Sequence, residues 1–220
     1  MSRRSVIVDE RFCFGDETHL PLHKTSVFVP GGDGFVVYNS TGEIIFRVDL
    51  YGPESGSNDE LVLMDSAGGS LVTLHRKKPS LHQRWEAFSG EKKEDDQEPI
   101  FSIFKSSIIG PFELVAVTYG DPGEEYHTEG SFSNGSCAIS IYNITDHSSS
   151  GSRELVAEIK RKVDPNTNVV LGRDVFSLCI KPLIDGAFVM ALVLVLDQFG
   201  GFNIDDSIAN QVSALGDASS

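Results

Sequence analysis

With 220 residues, 40% of them hydrophobic, the chain is long enough for one domain with a substantial core. Thirty-two acidic against eighteen basic residues leave a net charge of −14, which repels phosphate backbones at long range and argues against general nucleic-acid binding. Cys13, Cys137 and Cys179 form neither a disulfide framework nor a paired C-x-x-C zinc site, so reduced, buried thiols are expected.

Met1-Ser-Arg-Arg-Ser-Val-Ile-Val carries two cations but only three consecutive apolar residues, too few for a signal peptide, and this points to the cytosol or nucleus. Residues 1–24, with Pro21, read as an irregular segment packing on the domain. Short β-rich runs then follow at 25–29, 34–38, 43–51, 60–64 and 70–77, each closed by Gly, Asn, Asp or Ser. Within Ile44-Ile-Phe-Arg-Val-Asp-Leu50, Ile44, Phe46, Val48 and Leu50 share one face while Arg47 and Asp49 share the other, the signature of a half-buried strand. Phe35-Val-Val-Tyr-Asn-Ser-Thr-Gly42 echoes Leu61-Val-Leu-Met-Asp-Ser-Ala-Gly68. Two copies are too few for a solenoid, so the echo predicts consecutive hairpins with the same turn chemistry.

Residues 81–84 suggest a helical turn before a strand at 85–88, and the charged stretch 91–99 reads as a solvated loop. Further strands are expected at 100–105, 113–119, 126–132, 137–143, 155–163 and 176–180. Asn39, Asn134 and Asn143 begin glycosylation-type triplets but are read as turns. Residues 201–220, small and acidic, read as a disordered tail.

From Ala187 to Leu196 there is no polar residue, so protein or lipid must surround this run on every side. As a helix it rises only about 15 Å, half of a bilayer's hydrocarbon core, which makes enclosure within the fold the expectation. Asp185-Gly186 fits a two-residue hairpin turn, which would make the run a strand; its length, its Ala and Met content and an N-cap at Asp185 favour a helix. Both assignments fit uniform apolarity. About a dozen strands in succession seldom stay open as one sheet, so a closed wall around the apolar segment is predicted.

Four blocks together resemble the LURP-one-related family of plant proteins, within the tubby-like superfamily. They are Ile45-Phe-Arg-Val-Asp-Leu-Tyr51; Leu63-Met-Asp-Ser-Ala-Gly68 with Leu74-His-Arg-Lys-Lys78; Ala157-Glu-Ile-Lys-Arg-Lys162; and Leu171-Gly-Arg-Asp-Val-Phe-Ser-Leu178 running on into residues 185–198. The resemblance implies a mostly β fold: a closed antiparallel barrel of about twelve strands over residues 25–200, enclosing a hydrophobic C-terminal helix at about 185–198. It further implies a non-enzymatic module, a membrane-tethered transcription regulator or lipid-responsive factor in plant defence signalling. Kinship of the superfamily with phospholipid scramblases implies the alternative, binding of phosphoinositide or acidic phospholipid. The implied location is cytoplasmic or nuclear, peripheral at the plasma membrane and not transmembrane, with protein partners as a further expectation.

Arg76, Lys77, Lys78 and Arg84, with Lys160, Arg161 and Lys162, put seven of eighteen cations into two short segments, the candidate site for lipid phosphate. The plainer reading is solvent-facing strand positions paired with abundant carboxylates. The six histidines show no H-x-x-x-H or H-E-x-x-H grouping, no G-x-S-x-G elbow occurs, and Gly31-Gly-Asp-Gly34 lacks the Lys of a phosphate loop. Residues 91–98 supply carboxylate oxygens without the order of a calcium-binding EF-hand loop. No catalytic residue, metal site or cofactor is therefore expected. Asp185 and Asp197, which bracket the apolar run, are read as a cap and a return to solvent.

Overall fold

The structure, a computed structural model, describes residues 6–25, 34–49, 59–91, 96–107, 113–120, 123–131, 138–144, 153–162 and 175–199. Twelve strands follow in sequence: β1 (Thr18–Thr25), β2 (Gly34–Tyr38), β3 (Ile44–Asp49), β4 (Glu60–Asp65), β5 (Ser70–Arg76), β6 (Trp85–Ser89), β7 (Phe101–Lys105), β8 (Leu114–Thr118), β9 (Glu125–Ser131), β10 (Ala138–Ile144), β11 (Arg153–Arg161) and β12 (Val175–Ile180). Each pairs antiparallel with its neighbours in sequence, and β1 pairs with β12 to close the ring. Alternation supplies the wall's inner surface: Phe176, Leu178 and Ile180 of β12 are buried, while Val175, Ser177 and Cys179 between them are partly exposed.

The apolar run is helix α1 (Gly186–Gln198), and the hairpin alternative is excluded. Residues 187–196 are at most 2% exposed, so the lumen is filled by the helix. Phe188 meets the ring of Phe101 edge-on at 5.1 Å and Tyr126 at 4.7 Å. Asp185 caps α1, accepting from the N–H groups of Ala187 and Phe188 through Oδ1, while Oδ2 accepts from Ile7, Val8 and Asp9 at 3.0, 2.6 and 3.0 Å. That second set of bonds lays the N-terminal segment across the barrel end, where Phe12 packs on Phe46 with ring centroids 4.6 Å apart. Gly186 is required by space: a Cβ there would lie 3.3 Å from Ile180, from the Phe12 carbonyl and from Phe14.

Three expectations are corrected. The wall begins at Thr18, so residues 18–24 are strand and not irregular chain; the β2 ladder starts only at Leu22, so Pro21 owes no ladder bond on that side. Residues 81–84 form turns without a helix, Leu81 and His82 being the turn residues. Asp197 does not return to solvent: it is buried and bonds Lys24 Nζ at 2.8 Å, because Lys24 follows Leu20 and Leu22 on the inward face of β1. The expected strand at 25–29 reaches the described residues only at Thr25, and the tail at 201–220 lies outside them, as does Cys137.

The echo seen in sequence is one turn made twice. Asn39 Oδ1 accepts from Thr41 and Glu43 N–H, Asp65 Oδ1 accepts from Ala67 and Gly69 N–H, and Gly42 and Gly68 take φ of +84° and +86°. Both turns follow the same chemistry, an Asx side chain replacing a backbone acceptor and a glycine supplying positive φ.

Candidate functional site

Antiparallel order sends every odd-numbered strand to the same rim, and α1 points there too, since Asp197 near its end reaches Lys24 at the end of β1. Arg76, Lys77, Lys78 and Arg84 lie at the β5–β6 connection of this rim, and Lys160, Arg161 and Lys162 lie at the end of β11 on the same rim. The two predicted segments therefore share one end of the barrel. They do not converge in one cleft, because β5 and β11 stand six places apart in a ring of twelve. With strands about 4.8 Å apart and tilted by roughly 40°, the barrel diameter is on the order of 24 Å.

Lys24 and Lys105 join them at this rim, so nine of the thirteen described cations occupy one end, leaving Arg11, Arg47, Arg153 and Lys181 toward the other. The same rim also carries Asp49, Asp59, Glu60, Glu86, Glu113, Glu158 and Asp197, so its excess of positive charge is small, while the other end is strongly acidic, in keeping with the −14 of the whole chain. Some of these carboxylates pair with the cations: Lys77 bonds Glu86 at 2.5 Å, Lys160 bonds Glu158 at 3.0 Å, and Lys78 bonds Asp59. Among the described residues, Arg76, Arg84, Arg161 and Lys162 have no carboxylate partner. Arg84 instead lies over the Phe104 ring at 4.6 Å and donates to Tyr119 Oη at 3.4 Å. Arg161 lies 5.7 Å over Phe176, and its Nε is a buried donor without an acceptor among the described residues.

Between the cations of the β5–β6 connection, Leu81 projects into solvent with 83% of its surface exposed. The sequence reading passed over it, since one leucine in a polar turn carries no periodicity; its exposure is a property of the loop alone.

At the opposite end of the wall, Glu17, His19 and Cys179 place one ligating atom each within 4.8 Å of the others. Cys179 is 160 positions from His19 in the chain, and only the β1–β12 register, His19 opposite Cys179, brings it to Glu17 and His19. Cys13 and Cys179 are in no disulfide and are partly exposed, which corrects the expectation of buried thiols.

These features define a class before they define a family: a closed antiparallel barrel wrapped round a central helix, its cations gathered at the rim where the helix ends. The LURP-one-related family profile matches residues 22–197, and the chain belongs to that family. Protein LURP-one-related 12 of Arabidopsis thaliana is 52% identical, the alignment covering 89% of this chain and 84% of the relative. Protein LURP-one-related 5 of the same plant is 50% identical, with coverage of 89% and 90%. In three dimensions the chain is similar to the X-ray structure of an Arabidopsis thaliana protein, with a TM-score of 0.58 at 22% identity over 89% of this chain and 98% of that one. At that identity the likeness concerns the fold.

Proposed function

We propose that this LURP-one-related chain is a non-catalytic binding module that docks its basic rim on anionic phospholipid head groups at the inner face of a plant membrane. The observation that carries the reading is the gathering of eight cations round one rim, outside the buried Lys24–Asp197 pair, with Leu81 exposed among them. Each basic side chain near a negative leaflet contributes about 1 kcal/mol of attraction, and a leucine entering the acyl boundary adds roughly 1.5–3 kcal/mol. The far side of the protein, though acidic, lies beyond a screening length of about 8 Å and opposes this only weakly.

Two basic segments across a rim this wide suit a planar array of head groups better than one inositol phosphate held between them. The filled lumen supports the non-catalytic part of the reading, because ligand-holding barrels of similar size keep their interiors open. A contact built from a few charges and one leucine is reversible, as a membrane-tethered regulator or lipid-responsive factor in defence signalling requires. Such a module would divide its time between the cytosol or nucleus and the plasma membrane.

Co-sedimentation with vesicles of neutral lipid, and of neutral lipid doped with phosphatidylserine or a phosphoinositide, tests this. Wild type is expected to pellet with the anionic vesicles alone, less at high salt, with losses for Lys77→Glu, Arg161→Glu and Leu81→Asp. Equal binding by all four proteins, insensitive to salt, would sink the reading, as would no binding at all.

A further inference from the structure

The outer face of β1 and β12 carries three side chains whose donor atoms differ in kind. His19 and Cys179 are direct partners across the antiparallel ladder, and Glu17, two residues before His19, projects to the same side. Glu17 Oε1 lies 3.3 Å from His19 Nε2, and the carboxylate's other oxygen, Oε2, accepts from Lys181 Nζ. The carboxylate oxygen, ring nitrogen and sulfur lie within 4.8 Å of one another. A free cysteine facing outward from a strand is itself unusual, since thiols pack as small hydrophobic groups and are among the most buried side chains.

We propose that Glu17, His19 and Cys179 form a binding site for a borderline divalent transition-metal ion of the zinc class. Sulfur with nitrogen selects such an ion over magnesium or calcium, which take oxygen. A tetrahedral ion with bonds of about 2.0–2.3 Å holds its ligand atoms about 3.5 Å apart. The present spacing closes to that value by side-chain rotation, for which His19, 65% exposed, and Glu17, 42% exposed, have room even with Glu17 Oε2 held by Lys181. Water fills the fourth position. Glu17 binds the ion through Oε1 while Oε2 keeps Lys181, so the ligating carboxylate remains oriented by an outer partner.

Burial and the Glu17 charge raise the Cys179 thiol above its ordinary range, which disfavours a free thiolate nucleophile at this position. Binding breaks the S–H bond: the sulfur keeps the electron pair and bonds the ion, and the proton leaves to solvent, so affinity rises with pH. The site lies at the end of the barrel away from the basic rim, and its presence is independent of lipid binding.

Cobalt(II) titration of the full chain, kept reduced, tests the assignment. Wild type is expected to develop a thiolate-to-cobalt charge-transfer band in the near ultraviolet and tetrahedral d–d bands in the visible, both removed by added zinc. Cys179→Ser should abolish the first band, His19→Ala should weaken cobalt binding by about 10-fold or more, and Cys13→Ser should change neither. Circular dichroism of the metal-free variants establishes that these surface substitutions leave the fold intact. Absence of the charge-transfer band in wild type overturns the proposal; so does a band that survives Cys179→Ser, or cobalt affinity unchanged in His19→Ala.

Discussion

Asp185 lies on the boundary between the last strand and α1, yet it also holds the other end of the chain. Its two oxygens accept from backbone N–H groups on both sides, Ala187 and Phe188 at the helix start and Ile7 to Asp9 in the N-terminal segment. The capping role is legible from an Asp before Gly and an apolar run; the clasp on residues 7–9 is not, since its donors are about 177 positions away and are backbone groups of no special residue type. His127 shows the same limit. It sits between two carboxylates, Nδ1 2.8 Å from Glu113 Oε1 and Nε2 2.5 Å from Glu125 Oε1. Burial disfavours its charged form, but the two hydrogen bonds and charges outweigh this and hold its pKa above the ordinary 6.5. Burial likewise raises Glu113, and the bonds from His127 and Ser106 outweigh it, leaving that carboxyl below 4.5. A raised imidazole contributes stability in full below 6.5 and loses it as pH climbs through the folded value. A depressed carboxyl contributes above 4.5 and loses it as pH falls. Melting temperatures are therefore expected to show wild type exceeding His127→Asn by the widest margin between pH 4.5 and 6.5, with the gap shrinking on either side.

At the scale of elements, α1 shows how far uniform apolarity goes as a signal. It demands enclosure but is silent on backbone geometry; composition favoured helix without deciding it, and the family resemblance implied it. The structure adds that the end of α1 is anchored by a buried pair, Lys24 and Asp197, 8% and 5% exposed. Because the helix is packed against the wall all round, it tolerates no charge at its centre. Leu192, 1% exposed, is the test: an unpaired carboxylate there costs several kcal/mol out of a total margin of about 5–15 kcal/mol. Leu192→Asp is expected to lose cooperative unfolding, and a sigmoidal urea transition in that variant would contradict the packing described. Among the strands, the twin hairpins at Gly42 and Gly68 were readable because their turns depend on local chemistry. β1 was hidden because Pro21 is a strand breaker in isolation, and only its place at the margin of the β2 ladder makes it acceptable.

For the whole molecule, closure is the controlling fact. The first strand zips to the last, His19 to Cys179 and Leu20 to Leu178, so no backbone edge is left on the wall. Deleting residues 1–25 would open edges on β2 and β12 together and uncover α1. That shortened chain is expected to form oligomers by size-exclusion chromatography with light scattering, while the full chain is not driven to do so by exposed edges; a monomeric truncation would refute the account. Closure also creates both candidate sites. The sequence shows two basic segments, but their common rim follows from strand direction, and their separation across it follows from ring order. Cys179 becomes a neighbour of Glu17 and His19 solely through the closing pair.

The sequence by itself determined most of the strands after the first, which turns repeat, that the last apolar run is enclosed, and which family the chain resembles. These properties are written in periods of two, in Asx and glycine positions and in runs of like character, all local in the chain. The tertiary structure alone decided that Lys24 and Asp197 share a buried bond, that nine of the thirteen described cations share one rim, and that a thiol, an imidazole and a carboxylate meet on the outer wall. Each is a contact between distant residues, and register and ring closure act on the backbone without leaving a mark on side-chain spacing.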